Sequence, residues 1–92
     1  MKAKIASLRR TIRLALGHRL QTGASGKEHR LLSLKGSIQL NETAAQILSL
    51  CNGKLTIEEI VARVARAKGV VLEGDIRTFL DAARRRGWIV ES

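Results

Sequence analysis

Ninety-two residues allow one domain with one modest core and exclude two. A hydrophobic fraction of 45% excludes wholesale disorder, a single Cys51 excludes an internal disulfide, and only two aromatics, Phe79 and Trp88, leave no stacking platform for single-stranded bases. The net charge of +9 lies mainly at the front: residues 1–30 carry eight Lys and Arg against Glu28 alone, residues 31–92 nine against seven acids, which points to a basic arm and some acidic surface more than to an evenly basic nucleic-acid domain.

Residues 1–16 read as that basic N-terminal arm, ahead of a folded domain over 17–92. Ile5, Leu8, Ile12 and Leu16 recur at helical spacing among bases with no acid. A loose arm or lead-in to the first strand explains them best; packing against a second copy comes next, then a targeting or membrane-surface helix. No apolar run approaches the ~20 residues that span a bilayer.

Gly17 to Gln21 is expected as a short strand with Leu20 inward. The polar connector Thr22–Lys27 follows, and its glycines lack the spacing of a phosphate loop. His29–Leu34 and Ser37–Leu40 make the next hairpin. A three-residue loop, Leu34-Lys35-Gly36, places Leu32 opposite Ile38 and brings Leu40 to the same face, whereas a two-residue loop would separate Leu32 from Ile38. The longer loop is therefore the expectation.

Asn41 caps a helix whose stripe is Ala44, Ile47, Leu48 and Cys51, and Asn52-Gly53 stops it. Thr56-Ile57-Glu58-Glu59 is a capping box. It opens a second helix with Ile57, Ile60, Val61 and Val64 on one face and Gly69 at its end. A third helix starts near Glu73-Gly74-Asp75, runs through Ile76, Phe79, Leu80 and Ala83, and finishes in Arg84-Arg85-Arg86 before Gly87. Trp88-Ile89-Val90 reads as a short extended tail covering the core. The resulting fold class is α+β: a three-stranded antiparallel sheet followed by a three-helix bundle, like a winged helix-turn-helix with the sheet placed first.

Enzyme constellations are absent from the sequence, so no catalytic residue, cofactor or metal is assigned. His18 and His29 lie on separate strands without partners at ligand spacing. Cys51 sits on a helix stripe as a small apolar residue, and its isolation fits a reducing cytoplasm. Binding is the better class. An open sheet edge at Ser37, Ile38, Gln39 and Leu40 can pair with an extended peptide, and the exposed third-helix face with Arg77, Thr78, Asp81 and Arg84 can flank it. On the residues alone, an ordinary solvated ion-pair ladder explains that face better. Winged-helix DNA binding is the competing class, weakened by Glu73 and Asp75 where a recognition helix would meet phosphate.

The runs LNETAAQILSLCNG (Leu40–Gly53), KLTIEEIV and DIRTFLDAARRRGWI resemble the pyrroloquinoline quinone biosynthesis protein D (PqqD) family, one of the RiPP recognition elements, over about residues 18–90. The resemblance implies a peptide chaperone without cofactor. It would hold the pyrroloquinoline quinone precursor peptide as an extra strand on Ser37–Leu40, against Arg77–Arg84, and present it to a radical S-adenosylmethionine (radical SAM) enzyme. A recognition element of another peptide-modifying pathway stays open beside it, as does a homodimer formed through the arm.

Overall fold

The computed structural model describes residues 10–68 and 73–91. Their elements are β1 (Thr11–Leu14), β2 (Arg19–Thr22), β3 (His29–Ser33), β4 (Gly36–Leu40), α1 (Glu42–Ser49), β5 (Asn52–Thr56), α2 (Ile57–Lys68), α3 (Glu73–Arg85) and β6 (Ile89–Glu91). Arm residues 1–9 and the helix stop expected at Gly69 lie outside the described residues.

The chain is α+β, as expected, but it builds two antiparallel sheets where one was anticipated. The first has the order β2-β3-β4 and the second β5-β1-β6. Strands and helices are therefore interleaved, and three strands followed by three helices is not the plan the chain adopts. Thr11–Leu14, read from sequence as part of the arm, is the central strand of the second sheet. Ile12 there is 1% exposed, and the Ala15 amide donates to the Trp88 carbonyl at 2.8 Å. β5 escaped the sequence because only Leu55 of its five residues is buried. Its pairing with β1 is a tertiary event. Gly53 lies where the β1–β5 register shifts, at a φ of +84°, which a side-chain-bearing residue adopts only under strain.

The β3–β4 hairpin also departs from expectation. Ser33 pairs with Gly36, Leu31 with Ile38 and His29 with Leu40, so the loop is the two residues Leu34 and Lys35. Gly36 belongs to the strand instead of the loop. Leu31, at 1% exposure, is the inward residue of β3, and Leu32 lies on the opposite face. The three-residue loop correctly joined Ile38 and Leu40 on one face, but the sheet chose Leu31 over Leu32 because Leu20 on β2 lines up with it.

The helices follow most of their local signals, but α1 ends at Ser49 with Leu50 as its C-cap, so Cys51 lies past the helix and Asn52-Gly53, expected as its stop, opens β5 instead. Asn41 Oδ1 accepts from the Ala44 amide at 2.7 Å. The Glu59 amide donates to Thr56 Oγ1 at 3.2 Å while the Thr56 amide donates to Glu59 Oε1 at 2.9 Å, a reciprocal box. α3 ends with the Trp88 amide bonded to the Ala83 carbonyl and the Gly87 amide to that of Arg84, the paired bonds of a Schellman stop. One core joins both sheets to all three helices, with Leu31, Ile47, Leu48, Ile60, Ile76 and Ile89 at its centre. Trp88 packs against it and β6 completes the second sheet, so the expected tail is a strand.

Candidate functional site

β4 is an edge strand. β3 occupies one side, and none of the described residues pairs with the other. The register decides which groups are left over. In a two-residue hairpin the pair flanking the loop is hydrogen-bonded, and bonded pairs then alternate along the strands. Ser33–Gly36, Leu31–Ile38 and His29–Leu40 are the bonded pairs. Gly36, Ile38 and Leu40 therefore turn their amides and carbonyls toward β3, while Ser37 and Gln39 turn theirs to the open edge. Ser37, Ile38 and Gln39 are exposed and Leu40 is buried. Two residues thus present two donors and two acceptors at the spacing of a strand.

The chain just past α3 reaches this edge, where Arg86, Gly87 and Trp88 share a hollow with Ser37 and Ile38. Ile76, Leu80 and Ala83 point into the core. On one flank Arg77, Asp81 and Arg84 line a hollow of about 180 Å³ together with Ile57, Val90 and Glu91, beside β6. Arg77 reaches Glu58 of α2 at 3.8 Å, and Arg84 reaches Glu91 at 3.3 Å and Asp81 at 3.2 Å. Arg85 completes the ladder to Asp81 at 3.1 Å. These exposed pairs tie α3 to α2 and β6 and are each worth little. Thr78 is exposed on the helix surface. The structure thus brings Ser37–Leu40 together as an edge and Arg77, Asp81 and Arg84 together as an ion-pair cluster on one flank of α3.

The opposite flank carries Asp75, Phe79, Ala82 and Arg86, at spacings of four, three and four. Asp75 and Phe79 line a hollow of about 140 Å³ with Asn41, Thr43, Ala44 and Ile47, beside the C-terminal end of β4. Arg86, Gly87 and Trp88 meet Ser37 and Ile38 at its other end, across a larger hollow. Phe79, expected on the core stripe, and Trp88, expected in the tail over the core, are both half-buried against the core. The two aromatics line separate hollows, Phe79 the one beside Asn41 and Trp88 the one beside Ser37 and Ile38.

Among the described residues no group of three or more His, Cys, Asp or Glu could hold a metal. The Cys51 thiol is 3% exposed and donates to the Ile47 carbonyl at 3.5 Å. Burial pushes its pKa up to about 12. Because the folded value lies above the unfolded one, the stability this shift contributes is whole below the ordinary thiol value of about 8.5 and is lost as pH rises toward the folded one. Iodoacetamide is therefore expected to alkylate Cys51 only through the opened chain, far more slowly than it labels the urea-unfolded protein at the same pH. Rapid labelling of the folded protein, followed by mass spectrometry, would contradict this burial. Among the described residues no helix is long and apolar enough to cross a membrane.

Comparison with known proteins gives a consistent result. Residues 28–89 match the family model "Coenzyme PQQ synthesis protein D (PqqD)". The chain is 40% identical over 76 residues to a PqqA binding protein of Methylococcus capsulatus, covering 79% of this chain and 80% of that one. It is 37% identical over 92 residues to a PqqA binding protein of Klebsiella pneumoniae, covering 96% of this chain and 91% of the relative. The PqqD truncation of Methylobacterium extorquens PqqCD, a functional, stand-alone RiPP recognition element, superimposes with a TM-score of 0.68 at 23% identity. That alignment covers 86% of this chain and 87% of the other, and it establishes likeness of fold.

Proposed function

The chain belongs to the PqqD family, and from that premise we propose that it is a peptide chaperone of pyrroloquinoline quinone biosynthesis that binds the precursor peptide PqqA. The peptide adds as a fourth strand to β4, and the chaperone presents it to the radical SAM enzyme of the same pathway. The observation that carries this reading is the vacant edge of β4, where Ser37 and Gln39 turn their backbone groups to solvent. Their four hydrogen bonds are worth about 0.5–1.5 kcal/mol each in net terms. The total is too little for a specific complex, so side chains must supply the rest. Trp88 and Arg86 lie across a hollow from Ser37 and Ile38, and Phe79 and Asp75 lie beside Asn41, just past the other end of β4.

Calorimetric titration of the protein with synthetic PqqA tests the proposal, and a heat of binding that saturates is the expected result. Variants locate the site. Phe79→Ala is expected to weaken binding about tenfold, the loss of one well-packed anchor. Arg77→Ala and Arg84→Ala, on the far flank, are expected to change it less than about twofold and to cost under about 1 kcal/mol of stability. The opposite ranking would move the site to the arginine flank.

A further inference from the structure

Three turns converge beyond the N-terminal end of β4 and leave apolar side chains in water. Leu34, at the hairpin tip, is 98% exposed, Leu16 between β1 and β2 is 94% exposed, and Ile38 is 38% exposed. The turns are close: a Cβ on Gly17 would lie 3.9 Å from Leu34 Cγ. With Trp88 these side chains surround a hollow of about 420 Å³. A monomer rarely leaves adjoining leucines so bare without a use for them.

The rim is polar and of one sign. His18, Lys35 and Arg86 line the hollow and no carboxylate does. The Arg86 guanidinium lies over the Trp88 ring, 5.4 Å from its centre, which holds the charge at the mouth. Ser37 and Ile38 belong to the same lining, so the hollow is continuous with the strand edge. A peptide paired with Ser37 and Gln39 runs directly past it, and alternate side chains of that peptide turn to each face.

We infer that this hollow is a specificity pocket of the peptide site, taking one large apolar side chain of the bound segment with an Asp or Glu beside it. The inference rests on the strand-addition reading above. Backbone pairing is indifferent to sequence, so a site that selects one peptide needs a pocket for a side chain and a charge to set its register. The apolar floor provides the first, and the unopposed Arg86 and Lys35 provide the second.

Trp88 is the only tryptophan, so protein labelled with 5-fluorotryptophan gives a single fluorine resonance that reports on the hollow. Addition of PqqA is expected to shift that resonance as binding proceeds. Leu34→Ser, at a position too exposed to matter for folding, is expected to weaken PqqA about tenfold. Replacement of one apolar residue of PqqA by alanine is expected to give a loss that is not additive with Leu34→Ser. Arg86→Gln is expected to flatten the salt dependence of binding. Undiminished binding to Leu34→Ser with a fluorine resonance that ignores the peptide overturns the pocket and leaves strand addition standing. No binding of PqqA to the wild type overturns the reading on which both rest. A resonance that moves with protein concentration alone, before peptide is added, assigns the hollow to a second copy of the chain and overturns the inference.

Discussion

Gln39→Pro is expected to weaken PqqA binding by about a hundredfold, or about 2.7 kcal/mol, at unchanged circular dichroism. Gln39 is exposed, and its amide faces the open edge because the bonded pairs on either side of it belong to Ile38 and Leu40. Proline there removes a donor that the folded chain does not itself use, and strands tolerate proline at an edge for that reason. The incoming peptide loses the central bond of a very short ladder and meets the pyrrolidine ring in its place. Ile38→Pro supplies the contrast. Its amide pairs with Leu31, so the same residue type one position earlier breaks the hairpin and should lower stability by about 3 kcal/mol or more. Calorimetry and circular dichroism on the two variants separate the effects. If Gln39→Pro binds PqqA as the wild type does, the peptide does not add to β4.

Ile12→Ala is expected to cost about 2–5 kcal/mol, the usual range for emptying a core position, out of a total of about 5–15 for a domain. Ile12 is 1% exposed at the centre of β1, the strand that holds β5 and β6 together. Ile57, Leu80 and Ile89 lie beside it around the hollow at β6. Truncation leaves a cavity there that three different elements would have to move to close. Ile12→Val should cost only about 0.5–1.5 kcal/mol, because it keeps the branched shape. The urea midpoint at constant slope is the measurement. A trailing arm would show neither loss, so a change below about 0.5 kcal/mol would remove β1 from the core.

Local signals make much of this protein legible in its sequence. Asn41, the Thr56–Glu59 box and Gly87 mark helix ends, and each makes the hydrogen bonds its residue type allows, within four or five positions of sequence. The stripes that begin at Ala44, Ile57 and Ile76 name most of the core, because helical period alone aligns their apolar residues. The sheet β2-β3-β4 is visible as three short segments set off by the connector Thr22–Lys27 and the turn at Lys35-Gly36. Its register is not, since Leu31 and Leu32 are equally apolar neighbours and only Leu20 across the sheet chooses between them.

What the sequence determined by itself is the set of helices, the membership of the family, and the presence of a short strand at Ser37–Leu40. What the tertiary structure decided is the partnering. Ile12 falls on the helical spacing of Ile5, Leu8 and Leu16, which masks Thr11–Leu14 as a strand, and Asn52–Thr56 holds one apolar residue. The two become a sheet by pairing with each other and with Ile89–Glu91. The orientation of α3 was decided in the same way. Periodicity shows which residues share a side of a helix, but the core side of α3 is bordered by two flanks that are alike in one dimension. Packing against α2 and β6 turns Arg77 and Arg84 to one flank, which leaves Asp75 and Phe79 beside Asn41 and α1, and Arg86 beside Ser37 and Ile38.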